Sequence, residues 1–349
     1  MATLTETAYY SRKTIKFGSA AIVALLFLRF LFLTFQAYWK KTHPPPPPPP
    51  TVAFGKLPKL TFPERQNLPT LNFKLETISG SLPSLPTQAK VFFIPQPSPN
   101  FSTKENTRLW AKKLGFNKEP LEIDQYFFRF STDTVPKTTL EVDCLTRNFQ
   151  LSYDWKNDIE ILSRGSPPHD TQAISTARGF LQGADVLTKE LMEGESEVIF
   201  LKYLNGNLVN SIYHESVFAK VNLFRKELEG LKILPPNPKD ANVSLLISSS
   251  AHNKGIIDAK YYHYPISENN FATYPLKDTK TAWSALIGGK GFIANLGNNP
   301  EGKIVIRNAY LAYYESEKPQ TYLQPVIVFE GDNDFIAYVP AVSDSWLVE

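Results

Sequence analysis

Three apolar runs follow one another closely near the C-terminus: KIVIRNAYLAYY (303–314), TYLQPVIVFE (321–330) and FIAYVPA (335–341). Their length and β-branched or aromatic content predict strands, and the Gly331–Asp334 break predicts a turn between the last two. Just upstream, Asp278 is placed to cap a helix. Ala282, Trp283, Leu286 and Ile287 then face inward, and Gly288-Gly289 ends it. A helix followed by an antiparallel meander is an α+β unit. By strict alternation Ile304, Ile306, Tyr310 and Tyr314 share one strand face, while Val305, Leu311 and Tyr313 share the other. Pro325 predicts an edge or a bulge in its strand.

The same order recurs twice upstream. Ser102-Thr103-Lys104-Glu105 reads as a capping box opening a helix over 103–114, followed by runs at 121–131, 138–144 and 147–154. Asp170 opens a second helix, whose Ala173, Ile174, Ala177, Phe180, Leu181 and Ala184 form an apolar stripe. Strands at 197–204 and from 207 are joined by Asn205-Gly206, a strong hairpin signal, and 217–225 gives a third. Residues 243–250 and 255–264 read as a further hairpin, and 71–75 and 89–94 as the first strands. Three such copies predict two α+β lobes, 87–160 and 161–349.

The N-terminal part is different in kind. Phe17–Trp39 (FGSAAIVALLFLRFLFLTFQAYW) is apolar all round and long enough to cross about 30 Å of hydrocarbon. Aromatic residues stand at both borders, and no small-x-small cleavage site follows, so the run reads as an uncleaved anchor rather than a signal peptide. Arg12, Lys13 and Lys16 before it outnumber Lys40 and Lys41 after it, which places the tail 1–16 in the cytoplasm and the bulk of the chain outside. Arg29 lies mid-span, where a charge is expensive. It either snorkels to an interface or meets an acidic residue of a partner helix, and is the candidate transmembrane contact. Seven consecutive prolines (44–50) fix polyproline II, and more prolines follow to residue 99, so 40–86 is expected to be a linker lifting the folded part off the bilayer.

Of 37 Lys and Arg and 34 Asp and Glu, six basic residues and one acidic residue fall in 1–43. The remaining 31 basic against 33 acidic residues argue against a nucleic-acid partner. One cysteine, Cys144, excludes an intrachain disulfide and cysteine-based metal sites. The five histidines (43, 169, 214, 252, 263) include no pair at metal-binding spacing and read as surface or hairpin-face residues, although 252 and 263 could meet across their hairpin. No nucleophile-elbow motif occurs. Gly288–Gly291 follows a helix instead of preceding one, which is wrong for a phosphate loop, and Gly331–Asp334 is too short for an EF-hand. No catalytic, cofactor-binding or metal-binding residue is assigned, and no cofactor is expected. Tyr310, Tyr313 and Tyr314 form a candidate aromatic binding face, set against an ordinary two-sided core.

From residue 218 onward the order FAKVNLFRKELEGLKILPP, NVSLLISSS, KGIIDAKYYHYPI, TKTAWSALIGGKGFIANL and the three closing strands resembles the extracytoplasmic domain of YycI/YycH-type regulatory proteins, and more broadly the PepSY-like fold. Phe224-Arg225…Leu228-Glu229-Gly230, Tyr313-Tyr314 and Tyr322-Leu323-Gln324-Pro325 carry the likeness, over about the last 130 residues. The long proline stalk departs from that family. The resemblance implies a non-enzymatic, membrane-tethered regulator of a partner such as a bacterial sensor kinase, and supplies no active-site residues. The expectation is therefore a single-pass cell-envelope protein acting through protein contacts. The alternatives are a glycan- or peptide-binding module using an aromatic groove, and a hydrolase.

Overall fold

The computed structural model describes residues 4–42, 48–65, 67–249 and 255–348. His43, His252 and most of the proline run lie outside them. The chain divides into two units, 1–49 and 50–349. The first contains one continuous helix, α1 (Leu4–Thr42), of 39 residues. By length and composition it can cross a membrane, as an anchor or a signal sequence can.

The second unit is α+β. In chain order it contains β1 (Asn72–Leu75), β2 (Gln88–Phe93), α2 (Thr103–Lys113), β3 (Leu121–Asp124), β4 (Phe127–Ser131), β5 (Thr138–Asp143) and β6 (Phe149–Tyr153). Next come α3 (Ile159–Arg164), α4 (Asp170–Gly183), α5 (Lys189–Glu193), β7 (Ser196–Leu204), β8 (Asn207–Asn210) and β9 (Phe218–Leu223). Then follow β10 (Ile233–Leu234), β11 (Val243–Ile247), β12 (Ile256–Tyr261), β13 (Ser267–Pro275), α6 (Thr279–Ala285), β14 (Phe292–Asn295), β15 (Lys303–Tyr314), β16 (Tyr322–Gly331) and β17 (Ile336–Pro340).

Nine strands make one antiparallel sheet in the order β3-β4-β5-β6-β12-β11-β9-β7-β8. Its inner face packs against α2 and α4 through Trp110, Phe149, Ala173, Ala177, Leu181, Val221 and Leu245. The Trp110 indole donates to the Ala184 carbonyl (2.6 Å), fixing α2 to the end of α4. Because β6 pairs with β12, strands from both sides of residue 160 share this sheet, and the expected division between lobes does not fall there. The expected strand 121–131 is a hairpin, β3 and β4, turning at Gln125-Tyr126. The Ser102 side chain makes no capping bond. Its hydroxyl donates to Asn100 Oδ1 instead. Asp278 does cap α6, accepting from the Thr281 amide (2.6 Å). The helix then widens into a π-type turn at 286–290, which leaves Ile287 exposed instead of inward.

The second sheet is mixed and curled, with β1-β15-β16-β17-β14 as its spine. Along the outer edge of β15, β1 and then β10 pair in parallel. On the other side of β16, β17 gives way to β2, which also pairs with β13. Pro325 stands at that changeover in a central strand, not at an edge. The Ala341 carbonyl across from it accepts from the Lys277 amide, so the missing proline donor leaves no acceptor orphaned.

One face of this sheet carries Ile327, Phe329, Ile304, Ile306 and Leu311 under α6. The other carries Val326, Val328, Tyr314, Phe292 and Tyr338, and it is covered by Leu60 and Phe62. Phe62 stacks on Phe292 (4.8 Å) and meets Tyr314 (4.7 Å), while Gln324 donates to the Pro58 carbonyl (2.8 Å). Leu57 is fully buried. Residues 50–86 are thus built into the folded unit, and the expectation of a linker over 40–86 does not hold for them. The physical reason is the two-sided apolar character of β16, which needs a second cover besides a helix.

The face assignment on β15 also changes. Ile306 pairs with Gly331 and Asn308 with Glu330, so Arg307 is a bulge residue. The bulge reverses the alternation: Ile304 and Ile306 lie with Ala309 and Leu311, and Tyr310 lies with Ala312 and Tyr314. Arg307 projects to solvent, where Asp332 (2.6 Å) and Glu76 (2.9 Å) hold it.

Candidate functional site

Side chains on the face of the nine-stranded sheet opposite α2 and α4, one end of which α3 covers through Ile161 on Leu246, fall into cross-strand rows. One row runs Arg129, Glu141, Gln150, Lys260, Ser244, Asn222, Glu197 across seven strands. The next runs Ser131, Thr139, Ser152, Asp258, Leu246, Lys220, Ile199. Period-two alternation in each strand puts these polar residues opposite the core-facing set. Over β6, β12, β11, β9 and β7 this face floors a cleft of about 800 Å³. Its far wall comes from Asn295, Gly297, Asn298 and Asp334 at the end of the mixed sheet.

That wall is tightly built. Gly297 has φ +62, and a Cβ there would overlap the Asn333 carbonyl, which itself accepts from the Asn298 amide (3.0 Å). Asn295 donates to the Asp334 carbonyl (3.0 Å). The Gly331–Asp334 turn is a hairpin, with Asp332 engaged by Arg307 and Asp334 by Lys239 (3.2 Å).

Most charges in the cleft are paired. Lys220 and Lys260 grip opposite oxygens of Asp240 (2.8 and 3.1 Å), and Lys260 also reaches Glu317 (3.1 Å). Burial raises the Asp240 pKa, but the two ammonium groups outweigh it and hold the carboxyl below its usual range. Among the described residues Asp258 has no such cation. Burial pushes it up to about 6, against the pull of hydrogen bonds from the Tyr153 amide, Ser152 and Trp155.

Behind the cleft a buried cluster ties the two sheets together. Arg225, following β9, reaches Glu190 on α5 (Nε to Oε2, 2.6 Å), Glu315 beyond β15 and the Tyr264 carbonyl (2.9 Å). Asn242 donates to the Glu315 carbonyl (3.2 Å) and Tyr264 to that of Glu317 (2.9 Å). Burial raises the Glu190 carboxyl, yet the His263 hydrogen bond and the Arg225 charge carry it down to about 2.

The structure disperses the residues singled out from sequence. Tyr313 and Tyr314 are buried, the first against Phe92 and the second under Phe62. Only Tyr310 is half-exposed, its hydroxyl donating to Glu330 (2.7 Å). Instead of the expected aromatic binding face, Tyr313 and Tyr314 therefore belong to a two-sided core, Phe92 covering the first and residues 60–62 the second. Arg29 lies exposed on α1 with no ion pair among the described residues. His263 is buried beside Thr188 (3.4 Å) rather than on the surface. Cys144 is buried in the sheet core, and burial pushes its thiol up. Among the described residues no group of three or more His, Cys, Asp or Glu side chains is placed to hold a metal ion.

No family model matches the chain, and no curated protein does. Among solved structures, an uncharacterized protein from Eubacterium rectale ATCC 33656 aligns with 74% of this chain and 84% of its own, at a TM-score of 0.34 and 12% identity.

Sequence reasoning missed Lys220, Asp240, Asp258, Lys260 and Glu197. The available signal was polar residues two apart inside apolar strands: Lys220 with Asn222, Asp258 with Lys260, Gln150 with Ser152. Which strands lie side by side was not in that signal.

Proposed function

We propose that this chain is a non-enzymatic, single-pass cell-envelope protein. In this reading α1 anchors it with the N-terminus in the cytoplasm, and the 50–349 unit, outside, regulates or scaffolds a partner protein. The observation that carries the reading is the cleft. It is open, large enough for a peptide segment, and floored by hydrogen-bonding side chains whose charges are mostly engaged with one another. Among the described residues no histidine, cysteine or tyrosine lines it. Ser244 faces Lys260 across the strands, but that ammonium is taken up by two carboxylates and is not presented as a base. Such a surface reads shape and hydrogen-bond pattern. The resemblance to YycI/YycH-type regulators, with the finer PepSY-like reading of the fold, supports a membrane partner such as a sensor kinase.

Photo-cross-linking in intact cells tests this. A benzophenone amino acid at Asn210 or Asn298, both on the cleft, should capture a protein that the same probe at Asp170, on α4, does not. Equal capture from both, or none from the cleft, defeats the proposal.

A further inference from the structure

An open strand edge borders the cleft. The nine-stranded sheet ends in β3 on one side and β8 on the other. β3 is guarded: it carries Glu122 and Asp124 with a register break between them, and Lys104 and Arg108 of α2 engage Glu122. In the mixed sheet the chain itself closes comparable edges. The Thr273 carbonyl of β13 accepts from the Val52 amide (3.0 Å), and the Ala294 carbonyl of β14 accepts from Arg65. β8 has none of these devices. From Asn205 to Ile212 there is no charged residue and no proline, and β8 pairs with β7 in unbroken register.

The hairpin decides which groups β8 offers. Its two-residue turn makes Leu204 and Asn207 a hydrogen-bonded pair and Lys202 and Val209 the next. The Ser211 amide, donating to the Phe200 carbonyl (2.9 Å), continues the same alternation. The amides and carbonyls of Leu208 and Asn210 therefore point away from β7. Among the described residues they meet no backbone partner. The side chains of the same two residues line the cleft, where Ile199 and Leu201 pack with Leu208.

Donors and acceptors repeated at every second residue along an edge are matched by another extended backbone. A second copy pairing through the four residues of β8 would bury far less than the roughly 1,000 Å² of a stable dimer. A segment laid along β8 instead places alternate side chains over the cleft.

We propose that β8 holds a partner protein by strand addition. An extended segment with apolar residues at alternate positions pairs with Leu208 and Asn210 and sets an apolar side chain against Ile199 and Leu208. The proposal rests on the docking reading above and adds how the partner is gripped.

The test uses the full chain in detergent micelles and a fluorescein-labelled decapeptide of alternating valine and threonine with a lysine at each end, followed by anisotropy. One control peptide is N-methylated throughout, and another has serine in place of valine. The parent peptide should bind at least about tenfold tighter than the methylated one and about fivefold tighter than the serine one. Asn210→Pro removes an outward amide and should cost at least about fivefold, whereas Asn210→Ala keeps that amide and should stay within about twofold. Should Asn210→Pro melt early, hydrogen exchange on the unaltered chain carries the comparison. The parent peptide should slow exchange at the Leu208 and Asn210 amides and leave Leu121–Asp124 of β3 unchanged. Equal binding of the parent and either control peptide, equal losses in the two variants, or protection of β3 in place of β8 overturns the proposal. A dimer in light scattering that Asn210→Pro dissolves also overturns it, because the occupant is then a second copy. Capture by the Asn298 photo-probe that persists undiminished with Asn210→Pro overturns strand addition and leaves the docking reading intact.

Discussion

Arg225 is the side chain on which the two sheets meet, and its removal has a calculable cost. It is 3% exposed and faces Glu315, itself 5% exposed, so a neutral replacement strands a buried carboxylate. Arg225→Met is expected to destabilise the 50–349 unit by about 3–5 kcal/mol in urea titration, with Arg225→Met/Glu315→Gln recovering part of the loss. Asp258 and Glu190 give opposite pH dependences. The folded Asp258 carboxyl titrates near 6 against an ordinary value of 3.8, so between about pH 4 and 6 the fold keeps a proton the unfolded chain has released. Its contribution is complete below that window and lost as pH rises through 6. Asp258→Asn should therefore raise stability at pH 8 by about 1 kcal/mol and flatten the slope between pH 4 and 6. Glu190 titrates near 2 against 4.5, so its contribution is present above pH 4.5 and lost as pH falls toward 2. Glu190→Gln should shallow the acid limb of the stability profile.

At the level of elements, local pattern and local chemistry agree where the partners are near in sequence. The Asn205-Gly206 hairpin forms with both residues at positive φ, and β3 to β6 and β15 to β17 pair in succession as their alternation implies. The pairings of β6 with β12, and of β2 with β13 and β16, join distant segments and leave no trace in any one of them. That is why the cleft was illegible: its floor comes from strands whose adjacency is tertiary. A single inserted residue, Arg307, was enough to reassign the tyrosines of β15. The cover over that strand is open to direct test. Phe62→Ala should cost about 2–3 kcal/mol and increase binding of a hydrophobic dye, as Phe292 and Tyr314 lose their lid.

For the whole molecule, the boundary of the folded unit moves from residue 87 to about 50. A fragment 87–349 lacks β1, Leu57 and Phe62 and exposes both an edge of β15 and one face of the mixed sheet. It should be less stable than 50–349 by about 5 kcal/mol or more, measured by thermal melting of the two fragments side by side. Protease added to intact cells should degrade the 50–349 unit and spare a short piece bearing α1. Protection of the whole chain, or a mature protein lacking its first forty residues, would contradict the anchor. The parallel pairing of β1 with β15 also imposes an order of events on synthesis. Asn72 must wait for Lys303, about 230 residues later, before its ladder can close. A nascent chain leaving the ribosome N-terminus first therefore carries unpaired strand edges through most of its translation. A holding chaperone bound to the early segment would be needed until the last strands emerge.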